Sequence, residues 1–336
     1  MSGREANGRG VDGRGWRLLA LPPLGAELIH QVFDPIGAEV VVPAERSRDA
    51  LHAALTGAEL VVGDFTGELT LDAAAVAAAP RLSFVQMPSV GVDSLDLDAL
   101  TAAGVAVANT AGANARSVAE WALAAALDLS RQLSWADRRM REGGWPQLET
   151  AARGADELAN RRVGVLGMGA IGAEVMRLFE ALGCRVAYWS RRRRDTGVHL
   201  ELDELLACSD VLVVCLPRTP ETVGLLDSRR LALLPKGAFL INVARGGIAP
   251  DDAVLAALDG GGLAGAALDV FEDEPLPADH PLRRHEGVLL SPHAAGATRQ
   301  SQLNIITAVV DNVRAVIEGR PVANVVNGLD PLIRHR

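Results

Sequence analysis

Residues 163–172 read V-G-V-L-G-M-G-A-I-G, and no other stretch restricts the fold of this chain so tightly. The apolar run at 163–166 has the length of a buried strand and stops at Gly167-Met168-Gly169-Ala170-Ile171-Gly172, a G-x-G-x-x-G turn. Apolar residues at Ile171, Val175, Leu178 and Phe179 then recur at helical spacing until Gly183, and a second strand pattern follows at 185–189. In such a unit the first glycine makes the turn, the second lets a pyrophosphate approach the backbone, and the third lets helix and strand pack closely. Free N–H groups at the helix N-terminus then face the phosphates. Glycine-rich turns also arise for steric reasons alone. The strands and helix around this one make it a dinucleotide-binding fingerprint.

A chain of 336 residues, 49% of them hydrophobic, is long for one core and points to two domains. Its formal charge of −9 disfavours nucleic acid or an anionic membrane as a partner, and no apolar run approaches a membrane span. Cys184, Cys208 and Cys215 lie in or near apolar segments without metal-ligand spacing, so they read as reduced core residues of a cytoplasmic protein. Residues 1–15 are rich in glycine and arginine and lack the apolar centre of a signal peptide, which predicts a disordered tail.

Short strand patterns at 16–20, 38–42, 59–62, 82–85 and 105–108 alternate with Ala- and Leu-rich helical stretches such as 46–55 and 71–78. That alternation predicts a parallel sheet of five strands. Asn109-Thr110-Ala111-Gly112 breaks the pattern, and a long helix follows with Asn114 or Ser117 as N-cap and Val118, Trp121, Ala125 and Leu129 as its buried stripe. Residues 134–160 are polar and irregular. They read as an arm that packs against another subunit, or as a surface loop. Further strands are expected at 211–216, 238–243, 265–270 and 288–290, with helices at 202–207, 227–234 and 251–258. Leu303, Ile306, Val310, Val313 and Ile317 define a final amphipathic helix, expected to return to the first domain. The resulting fold class is α/β, with two Rossmann-like, doubly wound parallel-sheet domains and a cleft between them. Residues 16–112 plus 299–336 form a flavodoxin-like substrate-binding domain, and 113–298 form the dinucleotide-binding domain.

Three segments at expected strand ends carry polar residues with no obvious structural task. Arg245 sits between a strand end and Gly246-Gly247, where its planar fork of donors suits a carboxylate. The carboxylates Asp269, Glu272, Asp273 and Glu274 surround a second strand end, and Ser291-Pro292-His293 follows a third. A histidine with a carboxylate at hand is the pairing needed for acid–base work near neutral pH.

Five motifs in order resemble the D-isomer-specific 2-hydroxyacid dehydrogenases, over most of the chain from Leu82 to Asn324. They are the 104–120 segment around Asn109-Thr110-Ala111-Gly112, Leu216-Pro217 with Thr219-Pro220-Glu221-Thr222, the Arg245 segment, Glu274-Pro275 and Ser291-Pro292-His293. By that resemblance Arg245, Glu274 and His293 are catalytic. Arg245 holds the substrate carboxylate and polarises its C2 oxygen, His293 is the acid–base residue, and Glu274 pairs with His293 while Glu272 and Asp273 stand by. Asp269 corresponds to the contact to the nicotinamide carboxamide, and Leu216, Pro217 and Val243 fall on the cofactor side. Ser89, Val90 and Gly91 bind substrate, the last two through their N–H groups. The implied partners are a small 2-keto or 2-hydroxy acid and a second copy of the chain in a homodimer; no metal is required.

Departures from the family pattern narrow this reading. Relatives acting on phosphorylated acids place arginine where Met87-Pro88-Ser89 stands, phosphite dehydrogenases place lysine at Val90, and formate dehydrogenases replace the catalytic glutamate that Glu274 retains. Asn160 replaces a customary glycine, a change that a left-handed turn tolerates. NAD-specific members end the second fingerprint strand with aspartate. Here Ser190 stands there, followed by Arg191, Arg192, Arg193 and Arg194. A hydroxyl and cations suit a 2′-phosphate, so NADP(H) is expected ahead of NAD(H), in a reductase resembling the glyoxylate/hydroxypyruvate branch. Two other readings remain: NAD-linked oxidation of a 2-hydroxy acid in a specialised biosynthetic pathway, and a nucleotide-sensing, corepressor-like binding protein.

Overall fold

The computed structural model describes residues 15–336, so the tail expected over 1–15 lies, apart from Gly15, outside the described residues. The chain divides into two compact units, one built from the chain up to Ala113 together with Arg299–Arg336, the other from Asn114–Thr298.

In the first unit, β1 (Arg17–Ala20), α1 (Ala26–Phe33), β2 (Glu39–Val41), α2 (Arg48–Leu55), β3 (Leu60–Val62), α3 (Ala73–Ala77), β4 (Phe84–Gln86), α4 (Leu97–Ala102) and β5 (Ala106–Ala108) alternate. All five strands are parallel, in the order β2-β1-β3-β4-β5. Strands β3, β4 and β5 are buried along their whole length, as a sheet covered on both faces requires. Ser47, Asp72 and Asp96 each accept a backbone N–H in the first turn of α2, α3 and α4, which fixes where those helices start. One apolar layer packs Leu19, Val61 and Val85 against Leu51, Leu55 and Leu100. The other packs Leu18, Leu60 and Phe84 against α12 (Arg299–Ile317) through Val309, Val313 and Val316. The final helix therefore belongs to the first unit. Its buried stripe is displaced from the one expected, because Leu303 and Ile306 are exposed.

In the second unit, α5 (Ala115–Arg131), α6 (Leu133–Arg141) and α7 (Gln147–Ala152) precede β6 (Arg162–Leu166), α8 (Ala170–Ala181), β7 (Arg185–Trp189) and β8 (Val198–His199). Then come α9 (Leu202–Ala207), β9 (Val211–Val214), α10 (Ser228–Leu231), β10 (Ala238–Asn242), α11 (Asp251–Asp259), β11 (Leu263–Leu268) and β12 (Val288–Leu290). The strands run parallel in the order β12-β11-β10-β9-β6-β7-β8, a dinucleotide-binding topology whose order reverses between β6 and β9. Asn114 occupies the cap position of α5 but its side chain makes no capping bond, and Trp121 is only partly buried, whereas Ala119, Ala122 and Ala126 face the core. Helices α6 and α7 cover about half of the 134–160 segment, and the rest is turn and loop. Asn160 takes φ 66°, the left-handed turn that leads into β6.

Candidate active site

Parallel strands end on one edge of their sheet. Gly167, Leu216, Val243, Arg245, Asp269 and His293 follow β6, β9, β10, β11 and β12, so they share the carboxyl edge of the seven-stranded sheet. The glycines of the fingerprint divide into two kinds. A Cβ at Gly167 would stand 2.6 Å from the Cys215 carbonyl oxygen, and one at Gly172 only 2.0 Å from that of Gly167. Close packing of strand, helix and β9 therefore dictates both, and φ at Gly167 is 101° besides. A Cβ at Gly169 would meet nothing within 4 Å, and Gly169 caps α8 without a side-chain partner for the first N–H groups. Met168 is buried beside this turn, and Ala170 and Ile171 open the helix. Open space before unpartnered N–H groups fits the pyrophosphate of a dinucleotide.

Beyond the end of β7, the Ser190 hydroxyl donates to the Arg192 carbonyl at 2.6 Å. The Tyr188 hydroxyl donates to the Arg194 carbonyl at 3.0 Å and accepts from its N–H at 2.7 Å. Ser190 thus spends its proton inside the turn, and the groups that face outward are the exposed side chains of residues 191–194. Glu221, in the loop after Leu216-Pro217, is held below the usual carboxylate range by a hydrogen bond from Thr219, with the Arg191 charge contributing less. Thr222 closes that loop by donating to the Pro217 carbonyl at 2.7 Å.

The structure brings His293 and Glu274, the expected acid–base pair, together across 19 residues of sequence. His293 Nδ1 lies 2.7 Å from Glu274 Oε2, and Glu274 Oε1 accepts the Phe271 N–H at 3.0 Å. An ionised carboxylate only accepts, so Nδ1 carries a proton and Nε2 is the nitrogen available for exchange. The Glu274 bond holds the imidazole pKa above its ordinary value, against desolvation and the Arg245 charge, which lower it. Burial disfavours the Glu274 anion, but the His293 and Phe271 bonds outweigh it and keep the carboxyl below its usual range. Arg245 is partly buried and donates Nη1 to the Ala244 carbonyl at 2.7 Å, within a turn that Asn242 closes by donating to the Arg245 carbonyl at 3.1 Å. A Cβ at Gly246 would stand 1.7 Å from the Phe271 oxygen. Glycine there lets the arginine turn lie directly on the segment that leads to Glu274.

Asp269, which the resemblance assigns to the nicotinamide carboxamide, is also tied into its own sheet edge. Its carboxylate is buried and accepts the Ser291 hydroxyl together with the N–H groups of Ala294 at 2.8 Å and Ala295 at 3.0 Å. Its carbonyl accepts the His293 N–H at 2.8 Å. His293 itself adopts φ 52°, a conformation that costs a non-glycine residue energy unless its surroundings impose it. Asp269 and Ser291 form that surround, a role spacing alone did not suggest. Glu272, read as a bystander, accepts the Asp251 N–H at 3.0 Å at the start of α11.

In the first unit, residues 87–91 follow β4 at the carboxyl edge of the five-stranded sheet. The Ser89 hydroxyl donates to the Gly91 carbonyl at 2.7 Å, and the N–H groups of Ser89, Val90 and Gly91 have no hydrogen-bond partner among the described residues.

Comparison with known proteins places this chain in a family. A model of the D-isomer specific 2-hydroxyacid dehydrogenase NAD binding domain matches residues 123–295. The chain is 35% identical over 323 residues to the glyoxylate reductase of Aeropyrum pernix, covering 91% of this chain and 93% of that one. It is 35% identical over 317 residues to the D-3-phosphoglycerate dehydrogenase of Archaeoglobus fulgidus, covering 93% of this chain but only 59% of that longer protein. Among solved structures, D-lactate dehydrogenase from Aquifex aeolicus, complexed with NAD and lactic acid, superposes with a TM-score of 0.78 at 28% identity, over 90% of this chain and 96% of that one. The chain belongs to the D-isomer-specific 2-hydroxyacid dehydrogenase family, and its second unit contains the family's NAD-binding domain.

Proposed function

We propose that this chain is an NADPH-preferring reductase of a small, unphosphorylated 2-keto acid. One observation carries the reading: a histidine with a raised pKa, bonded through Nδ1 to Glu274 at 2.7 Å and leaving Nε2 available, stands on the same strand edge as the glycine fingerprint. Residues 167–172 and the start of α8 hold the dinucleotide, and Leu216, Pro217 and Val243 line its side of the sheet edge. When bound, the nicotinamide supplies the hydride. Arg245 binds the substrate carboxylate and withdraws electron density from the C2 carbonyl through its oxygen. His293 Nε2 gives its proton to that oxygen in reduction and takes it back in oxidation. Glu274 keeps the imidazole charged until that transfer. The N–H groups of Val90 and Gly91 bind the carboxylate as well.

The NADPH preference rests on the outward-facing run from Arg191 and on the lack of a carboxylate at Ser190. A phosphorylated substrate is disfavoured because residues 87–89 supply no cation. The same reading makes the chain a homodimer through the 134–160 segment, whose Trp145 and Leu148 are 77% and 83% exposed. The decisive experiment follows loss of nicotinamide absorbance with a panel of 2-keto acids, each run with NADPH and with NADH. Turnover with NADPH ahead of NADH is the expected result. Failure of every acid with either nucleotide would refute the activity.

A further inference from the structure

The loop at 87–91 has an unusual backbone polarity. Among the described residues, four of its five carbonyl oxygens accept hydrogen bonds, all but that of Pro88. Met87 O accepts Gln86 Nε2 at 2.9 Å, Ser89 O accepts the Thr110 N–H at 3.0 Å, Val90 O accepts Asn109 Nδ2 at 2.7 Å, and Gly91 O accepts the Ser89 hydroxyl at 2.7 Å. In a planar trans peptide the carbonyl of one residue and the N–H of the next point in opposite directions. Turning Ser89 O and Val90 O inward therefore turns the N–H groups of Val90 and Gly91 outward. Neither has a partner among the described residues. Two adjacent outward N–H groups make a concavity for an anion.

One of the two inward bonds comes from backbone and the other from a side chain. We propose that Asn109 is the positioning residue that orients the Val90–Gly91 peptide and so creates this anion seat; the inference rests on the reading above that the anion is the substrate carboxylate. Asn109 is 7% exposed. It is itself fixed on three sides, since its N–H donates to Asn324 O at 3.2 Å, its Oδ1 accepts the Ala111 N–H at 3.1 Å, and its Nδ2 reaches Val90 O. A side chain so held cannot swing away from the loop without leaving a buried polar group unpaired. Nineteen residues separate it from the carbonyl it orients.

Asn109→Asp isolates the effect. Its Oδ1 keeps the bond to the Ala111 N–H, while an oxygen replaces the donor facing Val90 O and repels it. The measurements are KM and kcat for the best 2-keto acid, the dissociation constant of NADPH, and binding of oxamate to the enzyme saturated with reduced cofactor. We expect KM and the oxamate dissociation constant to rise on the order of tenfold to a hundredfold, as loss of a charge-assisted hydrogen bond implies. NADPH affinity and kcat should stay within about twofold, the range in which no interaction is lost. A merely structural role would instead lower kcat and cofactor binding together. Asn109→Ser, which cannot reach Val90 but keeps a hydroxyl for the Ala111 N–H, gives the same readout should the aspartate variant not fold. Oxamate and substrate bound as tightly as in the wild type by either folded variant would overturn the proposal. If the wild type reduces no 2-keto acid yet binds oxamate in an Asn109-dependent way, the positioning role stands and the reductase reading fails.

Discussion

Asp269→Asn tests whether the aspartate serves the histidine turn or the cofactor. In the wild type its two oxygens receive three donors, from Ser291, Ala294 and Ala295. The asparagine keeps one oxygen, which still serves Ser291 and Ala294. Its amide nitrogen then faces the Ala295 N–H, so one charge-assisted bond is lost and two donors oppose each other. Losing such a bond costs about 1.5–3 kcal/mol. If that energy holds His293 at φ 52°, kcat in reduction should fall roughly tenfold to a hundredfold. Stopped-flow measurement of the chemical step, with NADPH affinity determined separately by fluorescence, separates the two roles. A large loss of NADPH affinity with the chemical rate unchanged would refute the argument, because a carboxamide contact moves binding and leaves the histidine alone.

Three further outcomes follow from the geometry. His293 must be protonated for reduction, and its pKa is raised by Glu274, so the reductive rate should hold up to pH values above the ordinary histidine range and fall as pH rises through the elevated pKa. Glu274→Gln removes that stabilisation and should move the fall to lower pH; a profile unchanged in the variant, with chemistry limiting, would remove Glu274 from the pair. Arg245→Lys keeps the charge but loses the planar fork, so kcat/KM should drop by about tenfold to a hundredfold with NADPH affinity unchanged, as steady-state and binding measurements would show. Ser190→Asp places a carboxylate at the end of β7 and should reverse a nucleotide preference of about tenfold to several hundredfold, read from paired kcat/KM values with NADPH and NADH.

What the sequence made legible follows from range. Strands β6, β9, β10 and β12 and helices α8, α9 and α11 announce themselves because apolar period and turn residues are local signals. Helices α1 and α4 were not among the stretches singled out, although α2 and α9, of the same eight and six residues, were. Residues 134–160 concealed two helices because Gly143-Gly144 and Trp145-Pro146 dominate a polar stretch. In α12, Leu303 and Ile306 fit the same period as Val313 yet stay exposed, because period marks a face and only packing decides how far along it the core extends. The positions of Arg245, Glu274 and His293 were legible through motifs. The settings of Asp269 and Asn109 were not, because each works on a segment 19 to 26 residues away through bonds that only the folded sheet edge brings together.

Those two residues also explain why a fold with two similar sheets can present opposite chemistry at each edge. Every parallel strand ends by delivering its chain into a loop whose peptides could turn either way. A buried carboxylate draws N–H groups inward, as Asp269 does with Ala294 and Ala295. A buried amide nitrogen draws a carbonyl inward, as Asn109 does with Val90, and leaves the next N–H pointing out. Aspartate and asparagine are nearly the same in size and shape, with an NH2 in one where the other has an oxygen, yet at such a position they set the sign of the backbone dipole a ligand meets. The turn that carries His293 is built on the carboxylate of Asp269, and the loop proposed to seat the substrate carboxylate is built on the amide of Asn109. Exchanging the two types should therefore damage function at either site long before it damages packing.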